Sequence, residues 1–277
     1  AGKTTLVESI LHRAGKLPTP GVVEKGNTVC DFDPQEKAHQ HSLDAALVHF
    51  DYDGAHVNLI DTPGFPDFIG QAIAVLPAVE TVAVVINAQT GIEAMTQRML
   101  ERAAERRLCR MIIVNKIDAE NIDLPGLLDQ IQESFGKECL PINLPANNAA
   151  SVVDCFFNSA GDSDFSSVAA THSALIDQVV EVDEELMALY LEQGEDLQPG
   201  QLHAPFEKAL REGHLIPICF VSARTGAGIK ELLDAFAKLL PNPLEGNLEP
   251  FLKGEGEAVD GPRAAPDPRQ HAVAHVF

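Results

Sequence analysis

A glycine, a lysine and a threonine stand together at the start of the chain, in the run Ala1-Gly2-Lys3-Thr4-Thr5, and an apolar stretch follows directly. Gly-Lys-Thr before a helix is the second half of a phosphate-binding loop, in which backbone N–H groups and the positive end of the helix hold phosphate oxygens. Lys3 would add a positive charge for the terminal phosphates, and the Thr4 hydroxyl can bind Mg²⁺. The tripeptide is also frequent by chance, so its meaning depends on the motifs that follow it.

A second polar motif, Asp61-Thr62-Pro63-Gly64, comes directly after a predicted strand. An aspartate there can reach a magnesium ion beside a nucleotide, and the Gly64 N–H is then placed to sense a γ-phosphate. The alternative is a plain turn, because Asp, Pro and Gly are all turn residues. The motif alone does not decide between the two.

A third motif, Asn115-Lys116-Ile117-Asp118, follows the apolar run 111–114. A carboxylate at Asp118 can accept hydrogen bonds from the N1–H and 2-amino groups of guanine, a donor pair that adenine lacks. Asn115 can bond to N7 of the base and to the phosphate loop, and the stem of Lys116 can lie over the base plane. The alternative is a solvated polar turn.

The fourth signal, Ser222-Ala223-Arg224, follows the run 217–221, and a backbone N–H there can support the O6 atom of guanine. The tripeptide is common, and only its position gives it meaning. In this order, at the carboxyl ends of predicted strands, the four motifs indicate a guanine-nucleotide-binding domain, because ligands of open α/β sheets bind there. An ATPase would lack Asn-Lys-x-Asp, and the chain has no Gly-x-Gly-x-x-Gly.

The elements that must position these motifs alternate between strand and helix, which predicts a mostly parallel α/β sheet. Helical spacing or apolar runs predict helices over 5–14, 92–107, 124–135 and 229–240, and strands over 43–51, 57–60, 79–88, 111–114 and 217–221. Asp53-Gly54 predicts a hairpin turn between the first two strands. The segment 18–40 has no period and is predicted to be a long loop.

The middle of the chain breaks this rhythm, with a short strand predicted at 152–156 and an acidic helix at 183–191. The predicted divisions are a first part of the nucleotide-binding domain (1–138), an inserted α+β subdomain (139–213), the last part of that domain (214–244), a linker rich in Gly and Pro (245–270) and a further strand (271–277). The strand that normally feeds a phosphate loop would precede Ala1, and its absence from a central position is expected to destabilise the fold.

Composition limits the classes of partner. The 277 residues carry a net charge of −21, so non-specific binding to a nucleic-acid backbone is not expected. No apolar stretch approaches the roughly 18 residues of a membrane span. Five scattered cysteines argue against a disulfide framework or a zinc site and favour reduced thiols in the cytoplasm. We therefore expect a cytoplasmic protein that does not bind membranes, and a monomer.

With the four motifs in place, the chain resembles the G domain of translational GTPases, specifically elongation factor G and most closely its elongation-factor-G-like paralogue group. Further matching stretches are Asp67-Phe68, Gly91-Ile92-Glu93 with Thr96, Asp183-Glu184 through Tyr190-Leu191, and Leu240-Pro241-Asn242-Pro243. The resemblance implies a P-loop fold, GTP or GDP with Mg²⁺ as ligands, and the ribosome as partner. It also implies that 139–213 is the subdomain that elongation factor G carries inside its G domain, and that 271–277 begins a β-barrel second domain.

The chain departs from this family at two places that bear on hydrolysis. Translocating factors carry a histidine after Asp-Thr-Pro-Gly that positions the attacking water, whereas this chain has Phe65, which can neither donate nor accept a hydrogen bond. Matching the hairpin backwards from Asp61 puts Ser42 where the family has a magnesium-binding threonine. Of the preceding residues, His39 and His41 could be pH-sensitive groups, but are more simply interpreted as solvated loop histidines.

The resemblance implies a GTP hydrolase in which the γ-phosphate orders switch I (residues 18–42) and switch II (residues 61–68). Lys3 and Gly64 are the implied catalytic groups, and Thr4, Ser42 and Asp61 the implied magnesium ligands. The alternative is a GTP-loaded adaptor that hydrolyses very slowly or not at all, because Phe65 occupies the position of the water-positioning histidine.

Overall fold

The computed structural model describes residues 1–193, 199–247, 252–253 and 257–258. The helices are α1 (Lys3–Arg13), α2 (Pro34–His39), α3 (Ile69–Ala74), α4 (Ala94–Glu105), α5 (Leu124–Phe135), α6 (Val168–Val180), α7 (Glu184–Gln193), α8 (Pro199–Glu212) and α9 (Ile229–Lys238). The strands are β1 (Ala46–Tyr52), β2 (Ala55–Asp61), β3 (Thr81–Asn87), β4 (Cys109–Asn115), β5 (Cys139–Pro141), β6 (Asn143–Ala146), β7 (Ser151–Asp154), β8 (Ile216–Phe220), β9 (Leu252–Lys253) and β10 (Glu257–Ala258). The predicted α/β class is confirmed.

A parallel sheet of four strands, in the order β3-β4-β8-β5, carries the core. All five residues of β8 are buried, as are six of the seven residues of β4, because the chain covers both faces of these strands. The carboxyl ends of β3 and β4 lie side by side, since Asn87 pairs with Asn115, and β8 follows with Phe220 opposite Val114. The loops after these strands therefore lie together at the carboxyl end of the sheet.

The strands β1 and β2 form the predicted antiparallel hairpin, with Tyr52 paired to Ala55 across the turn and Ala46 paired to Asp61 at the open end. Alternate side chains of β1 are buried, and Leu47 between them is exposed. The hairpin is a separate two-stranded sheet. Within the described part of the chain, the edge of β3 away from β4 has no partner strand.

The prediction of an unstructured loop over 18–40 is wrong for its second half. Helix α2 forms there because Asp33 caps it reciprocally: its side chain accepts from the Gln35 N–H at 2.7 Å, and its own N–H donates to Glu36 Oε2 at 3.0 Å. Pro34, at the first helical position, loses no hydrogen bond that the helix would have used. This local capping pattern was present in the sequence but was missed among the turn-forming residues.

The predicted insertion at 139–213 contains the expected short strand, as β7, and the acidic helix, as α7. It also contains α6 and α8, which the sequence pattern did not reveal. Its first three residues form β5, which pairs in parallel with β8 in the main sheet, Cys139 lying opposite Ile216. The boundary at 139 therefore includes a strand of the main sheet, and the rest of the domain division stays a prediction.

The predicted linker and final strand lie largely outside the described residues. Of positions 245–277, only 245–247 and the short pair β9–β10 are described. Among the helices that the structure does describe, none is long and apolar enough to span a membrane.

Candidate functional site

One cavity of about 1330 Å³ lies where the strands of the main sheet end and extends along the unpaired edge of β3, and most of the predicted site residues line it. They come from the amino end of α1, both switch segments, and the loops after β4 and β8; they are Ala1, Gly2, Lys3, Thr4, Thr5, Ser42, Gly64, Phe65, Asn115, Lys116, Asp118, Ala223 and Arg224. Asp61 and Ser222 lie just behind the wall, at 4% and 0% exposure. The topology thus brings together motifs that are more than 200 residues apart in sequence.

The amino end of α1 forms the floor of the cavity. Gly2 precedes the helix with φ +81°, a conformation that glycine adopts readily, and no side chain caps the first turn. The amide N–H groups of that turn are therefore available to an anion. A Cβ on Gly2 would lie 3.1 Å from Asn115 Nδ2, so this position also needs glycine because of its close neighbour.

The Lys3 ammonium lies beside Gly64, whose Cβ, if it had one, would be 2.6 Å from Lys3 Nζ. Burial lowers the pKa of Lys3, while attraction to Asp61 and Glu93 acts in the opposite direction. A partly buried ammonium next to an exposed backbone turn is suited to hold the terminal phosphate of a nucleotide. Phosphate oxygens would replace the water molecules that this ammonium loses as hydrogen-bond partners on burial.

The three implied magnesium ligands converge on one point. Thr4 Oγ1 donates to Asp61 Oδ2 at 2.7 Å and lies 3.2 Å from Ser42 Oγ. Ser42 Oγ also donates to Asp31 Oδ1 at 2.7 Å, which adds a fourth oxygen-bearing side chain that the sequence did not single out. Two hydroxyls and two carboxylates form the all-oxygen set that Mg²⁺ prefers, so these residues fit that ion.

Burial raises the pKa of Asp61 to about 6, and the nearby Asp31 adds to the effect, although the Thr4 hydroxyl and Lys3 act against it. A buried carboxylate with too little compensating charge is unstable when ionised. A divalent cation at this point would supply the missing positive charge.

Two buried carboxylates fix the switch I segment to the domain. Glu8 on α1 is fully buried and accepts hydrogen bonds from the N–H groups of Gly21 (2.7 Å) and Val29 (2.5 Å). Glu36 on α2 accepts from the Leu43 N–H at 2.9 Å. Each is a charge-assisted hydrogen bond. The segment therefore has a defined conformation although most of it lacks regular structure.

At the other end of the cavity, Asn115 joins three loops. Its Nδ2 donates to the Ala1 carbonyl at 3.1 Å, and its Oδ1 accepts from the N–H groups of Lys116 (2.8 Å) and Ala223 (3.0 Å). The predicted link between Asn115 and the phosphate loop is thus present in the structure. Because the Ala223 N–H is engaged by Asn115, a donor to guanine O6 would have to be another N–H of this loop.

Both carboxylate oxygens of Asp118 are engaged by side chains from the loop after β8. Ser222 Oγ donates to Oδ1 at 2.6 Å, and Arg224 Nε donates to Oδ2 at 2.7 Å. Burial alone would raise the pKa of Asp118, but these two hydrogen bonds hold it below its usual range. The Ser222 bond orients the carboxylate, whereas the Arg224 side chain occupies an oxygen that a guanine base would need. Sequence reasoning had assigned only a backbone role to this tripeptide.

Aromatic side chains meet at the phosphate end of the cavity. Phe65 is 52% exposed, and the ring of His41 packs edge-on against it with centroids 4.6 Å apart. His39 is exposed, as the sequence interpretation expected. His41 is partly exposed, although its Nδ1 atom is buried, so only part of its ring is solvated. The expectation for His41 therefore holds only in part.

Comparison with known proteins agrees with this geometry. Residues 1–242 match the family model described as the Elongation factor Tu GTP binding domain. The chain is 33% identical to the Elongation factor G-like protein of Mycobacterium tuberculosis, over 92% of this chain and 37% of that protein. It is 31% identical to the mitochondrial Ribosome-releasing factor 2 of Culex quinquefasciatus, over 89% of this chain and 36% of that protein.

A crystal structure of a protein from Thermus thermophilus superposes with a TM-score of 0.78 at 30% identity, covering 88% of this chain and 39% of the other. The chain therefore spans somewhat more than a third of the length of these relatives. The matched fold, the family model and the converging motifs lead to one conclusion: the chain belongs to the translational GTPase family, as a G domain of the elongation factor G type.

Proposed function

We propose that this G domain binds GTP with Mg²⁺ and hydrolyses it to GDP and phosphate, as the nucleotide-operated switch of a ribosome-associated translation factor. The observation that carries the proposal is the convergence of a phosphate-binding helix end, an all-oxygen metal set and a base-reading aspartate on one cavity. Family relatives whose names refer to elongation, ribosome release and peptide chain release support the ribosome as partner.

Each end of the cavity has its own task in this proposal. Lys3 and the first-turn N–H groups of α1 hold the β- and γ-phosphates, and the Gly64 backbone faces the γ-phosphate. Thr4, Ser42 and Asp61 hold the magnesium ion, which when bound neutralises charge on the phosphate oxygens. Asp118, oriented by Ser222, accepts hydrogen bonds from the guanine edge.

The contacts of switch I and switch II explain how loss of the γ-phosphate can change the conformation of the domain. Ser42 connects switch I to Thr4, and Gly64 connects switch II to Lys3, so both segments contact groups that hold the γ-phosphate end of the nucleotide. Loss of that phosphate removes a shared partner from both segments and releases them. A ribosome-bound factor can use such a release to change its conformation.

The test is nucleotide binding and single-turnover hydrolysis by the full-length protein, with and without ribosomes. The proposal predicts that GTP and GDP bind far more tightly than ATP and that ribosomes accelerate hydrolysis. Tight GTP binding with no turnover under either condition would instead support the adaptor alternative, for which Phe65 is the motivating residue. Failure to bind GTP would contradict both.

A further inference from the structure

We propose that an aromatic clasp between His41 on switch I and Phe65 on switch II sets how strongly the domain prefers GTP over GDP. The inference rests on the proposed GTP binding and names the residues that regulate it. The clasp joins side chains of the two segments directly, so it does not depend on a phosphate between them. It gives Phe65 a packing role, which a side chain unable to hydrogen-bond to water can perform.

The rings of the clasp belong to His41, Phe65 and Phe68. The centroid of the His41 ring lies 4.6 Å from that of Phe65 and 6.1 Å from that of Phe68, and both pairs are edge-on. Edge-on packing at these distances is favourable for aromatic side chains. Just beyond the two segments, Gln71 Nε2 donates to Asp44 Oδ1 at 2.9 Å, and this hydrogen bond extends the contact.

The His41 imidazole contributes a packing surface to the clasp. Its Nδ1 atom is buried and has no hydrogen-bond partner among the described residues. A buried nitrogen without a partner is unfavourable, so an apolar side chain of similar size should pack at least as well at this position. This expectation distinguishes the clasp from any role in which the imidazole donates or accepts a hydrogen bond.

Glu36 holds the switch I side of the clasp in place. The His41 N–H donates to the Glu36 carbonyl at 3.3 Å. The N–H groups of Leu43 and Asp44 donate to Glu36 Oε1 at 2.9 Å and 3.3 Å, and Glu36 itself is 2% exposed. The backbone that carries the His41 ring is therefore fixed to α2, and a side chain that packs against this ring is positioned with it.

The clasp lies one peptide bond away from the two residues that connect the switches to the terminal phosphate in the proposed function. His41 precedes Ser42, whose hydroxyl belongs to the oxygen cluster of the proposed magnesium site. Phe65 follows Gly64, which lies against the Lys3 ammonium. Contact between the two rings therefore positions Ser42 and Gly64 relative to each other.

In the proposed function, the switches exchange between a closed arrangement, in which both face the terminal phosphate, and an open one. GTP binds the closed arrangement more tightly than GDP does, because only GTP carries the γ-phosphate. By stabilising the closed arrangement, the clasp raises the fraction of molecules that is ready to bind GTP. One aromatic pair shifts such an equilibrium by about 2- to 13-fold, so the clasp should raise the preference for GTP by about that factor and oppose opening after hydrolysis.

Substitutions on both sides of the clasp test its effect in equilibrium titrations of the full-length protein with GDP and a non-hydrolysable GTP analogue. Phe65→Ala and His41→Ala should each lower the preference for the analogue over GDP by about 2- to 13-fold. The double variant should lose no more than the larger single loss, because both changes remove the same contact. His41→Leu keeps an apolar surface against Phe65 and should stay within about twofold of wild type. Phe32→Ala removes a ring that is 65% exposed on switch I, and this matched control should leave the preference unchanged.

Tryptic cleavage of switch I gives a second readout that needs no nucleotide. Lys25 and Lys37 are exposed trypsin sites within this segment. Cleavage at these sites in the nucleotide-free, full-length protein reports the population of the open arrangement. It should be about 2- to 13-fold faster in Phe65→Ala than in the wild type, and His41→Leu should be cleaved at the wild-type rate.

The possible outcomes separate the clasp from nucleotide binding itself. A nucleotide preference in Phe65→Ala within about twofold of wild type, or losses that add in the double variant, would overturn the clasp. Equal losses in His41→Leu and His41→Ala would also overturn it, because they would assign a role to the imidazole nitrogens. Wild-type protein that fails to bind the analogue would contradict the proposed function and the effect on preference with it. Unchanged tryptic cleavage in Phe65→Ala would show that the ring contact does not hold the switches together.

Discussion

Replacement of Arg224 by alanine should make guanine nucleotides bind more tightly. Arg224 Nε donates to Asp118 Oδ2 at 2.7 Å, so this side chain competes with a guanine base for the carboxylate. The bound state is then reached only from the fraction of molecules in which Arg224 has moved away, and the apparent dissociation constant rises accordingly.

The exposure of the Arg224 and Asp118 side chains determines how large the change in nucleotide affinity should be. The Arg224 side chain is 77% exposed, whereas that of Asp118 is 12% exposed. An ion pair with one partner in solvent contributes about 0.2–1 kcal/mol. Removal of that competition corresponds to roughly 1.4- to 5-fold tighter binding at 25 °C. The gain should shrink in high salt, because the pair is screened.

The assay is stopped-flow binding of a fluorescent GDP analogue to nucleotide-free protein. Because the arginine competes only in the free state, the change should appear in the association rate, with the dissociation rate unaltered. Arg98→Ala, which removes the same charge from an exposed position on α4, is the control for long-range electrostatics. Weaker binding by Arg224→Ala, or faster dissociation, would refute the reasoning and indicate that Arg224 contacts the bound nucleotide.

Asp61, Glu8 and Gly64 give three more predictions. Asp61→Asn should stabilise the nucleotide- and metal-free protein by up to about 3 kcal/mol above pH 6, as read from thermal unfolding. Burial raises the folded-state pKa of Asp61 to about 6 from 3.8, so the added stability of Asp61→Asn should vanish as the pH falls toward 4. A stability difference that does not change with pH would contradict this prediction. The exposed Asp129→Asn serves as its control. Glu8→Gln places an amide donor against one of the two backbone N–H groups that the carboxylate accepts, so it should destabilise the protein by about 1–3 kcal/mol and make residues 18–30 more sensitive to protease. Unchanged cleavage would count against the carboxylate anchor. Gly64→Ala would put a Cβ 2.6 Å from Lys3 Nζ, so it should reduce the preference for GTP over GDP in equilibrium titrations, and an unaltered preference would argue against the Gly64–Lys3 pairing.

The parts of the fold that the sequence predicted well are those with strong periodicity. The predicted helix over 124–135 matches α5 at both ends, because Asp123 caps its start and Gly136 follows its end. The buried strands before Asn115 and Ser222 are equally clear, since an apolar run between polar loops has few alternatives. The last three motifs could thus be placed at strand ends from local patterns alone.

The contacts between switch I and its neighbours could not be predicted. Asp31 is one of several acidic residues in an aperiodic segment, and nothing in the spacing distinguishes the buried carboxylate from its exposed neighbour Asp33. The ring contact of His41 with Phe65 joins residues 24 positions apart and depends on how Glu36 holds the chain. Such long-range side-chain contacts are set by tertiary packing, which local patterns do not encode.

The central claim is that the Asp118 carboxylate selects guanine, and exchange of its acceptor for a donor tests this claim most directly. Equilibrium titration of the full-length protein should give binding to GTP that is about 10³-fold or more tighter than to ATP. Asp118→Asn should lose most of its affinity for GTP and gain affinity for xanthosine triphosphate, which presents a carbonyl where guanine carries its amino group. Equal affinity of the wild-type protein for ATP and GTP, or an Asp118→Asn variant with unchanged preference, would contradict the account.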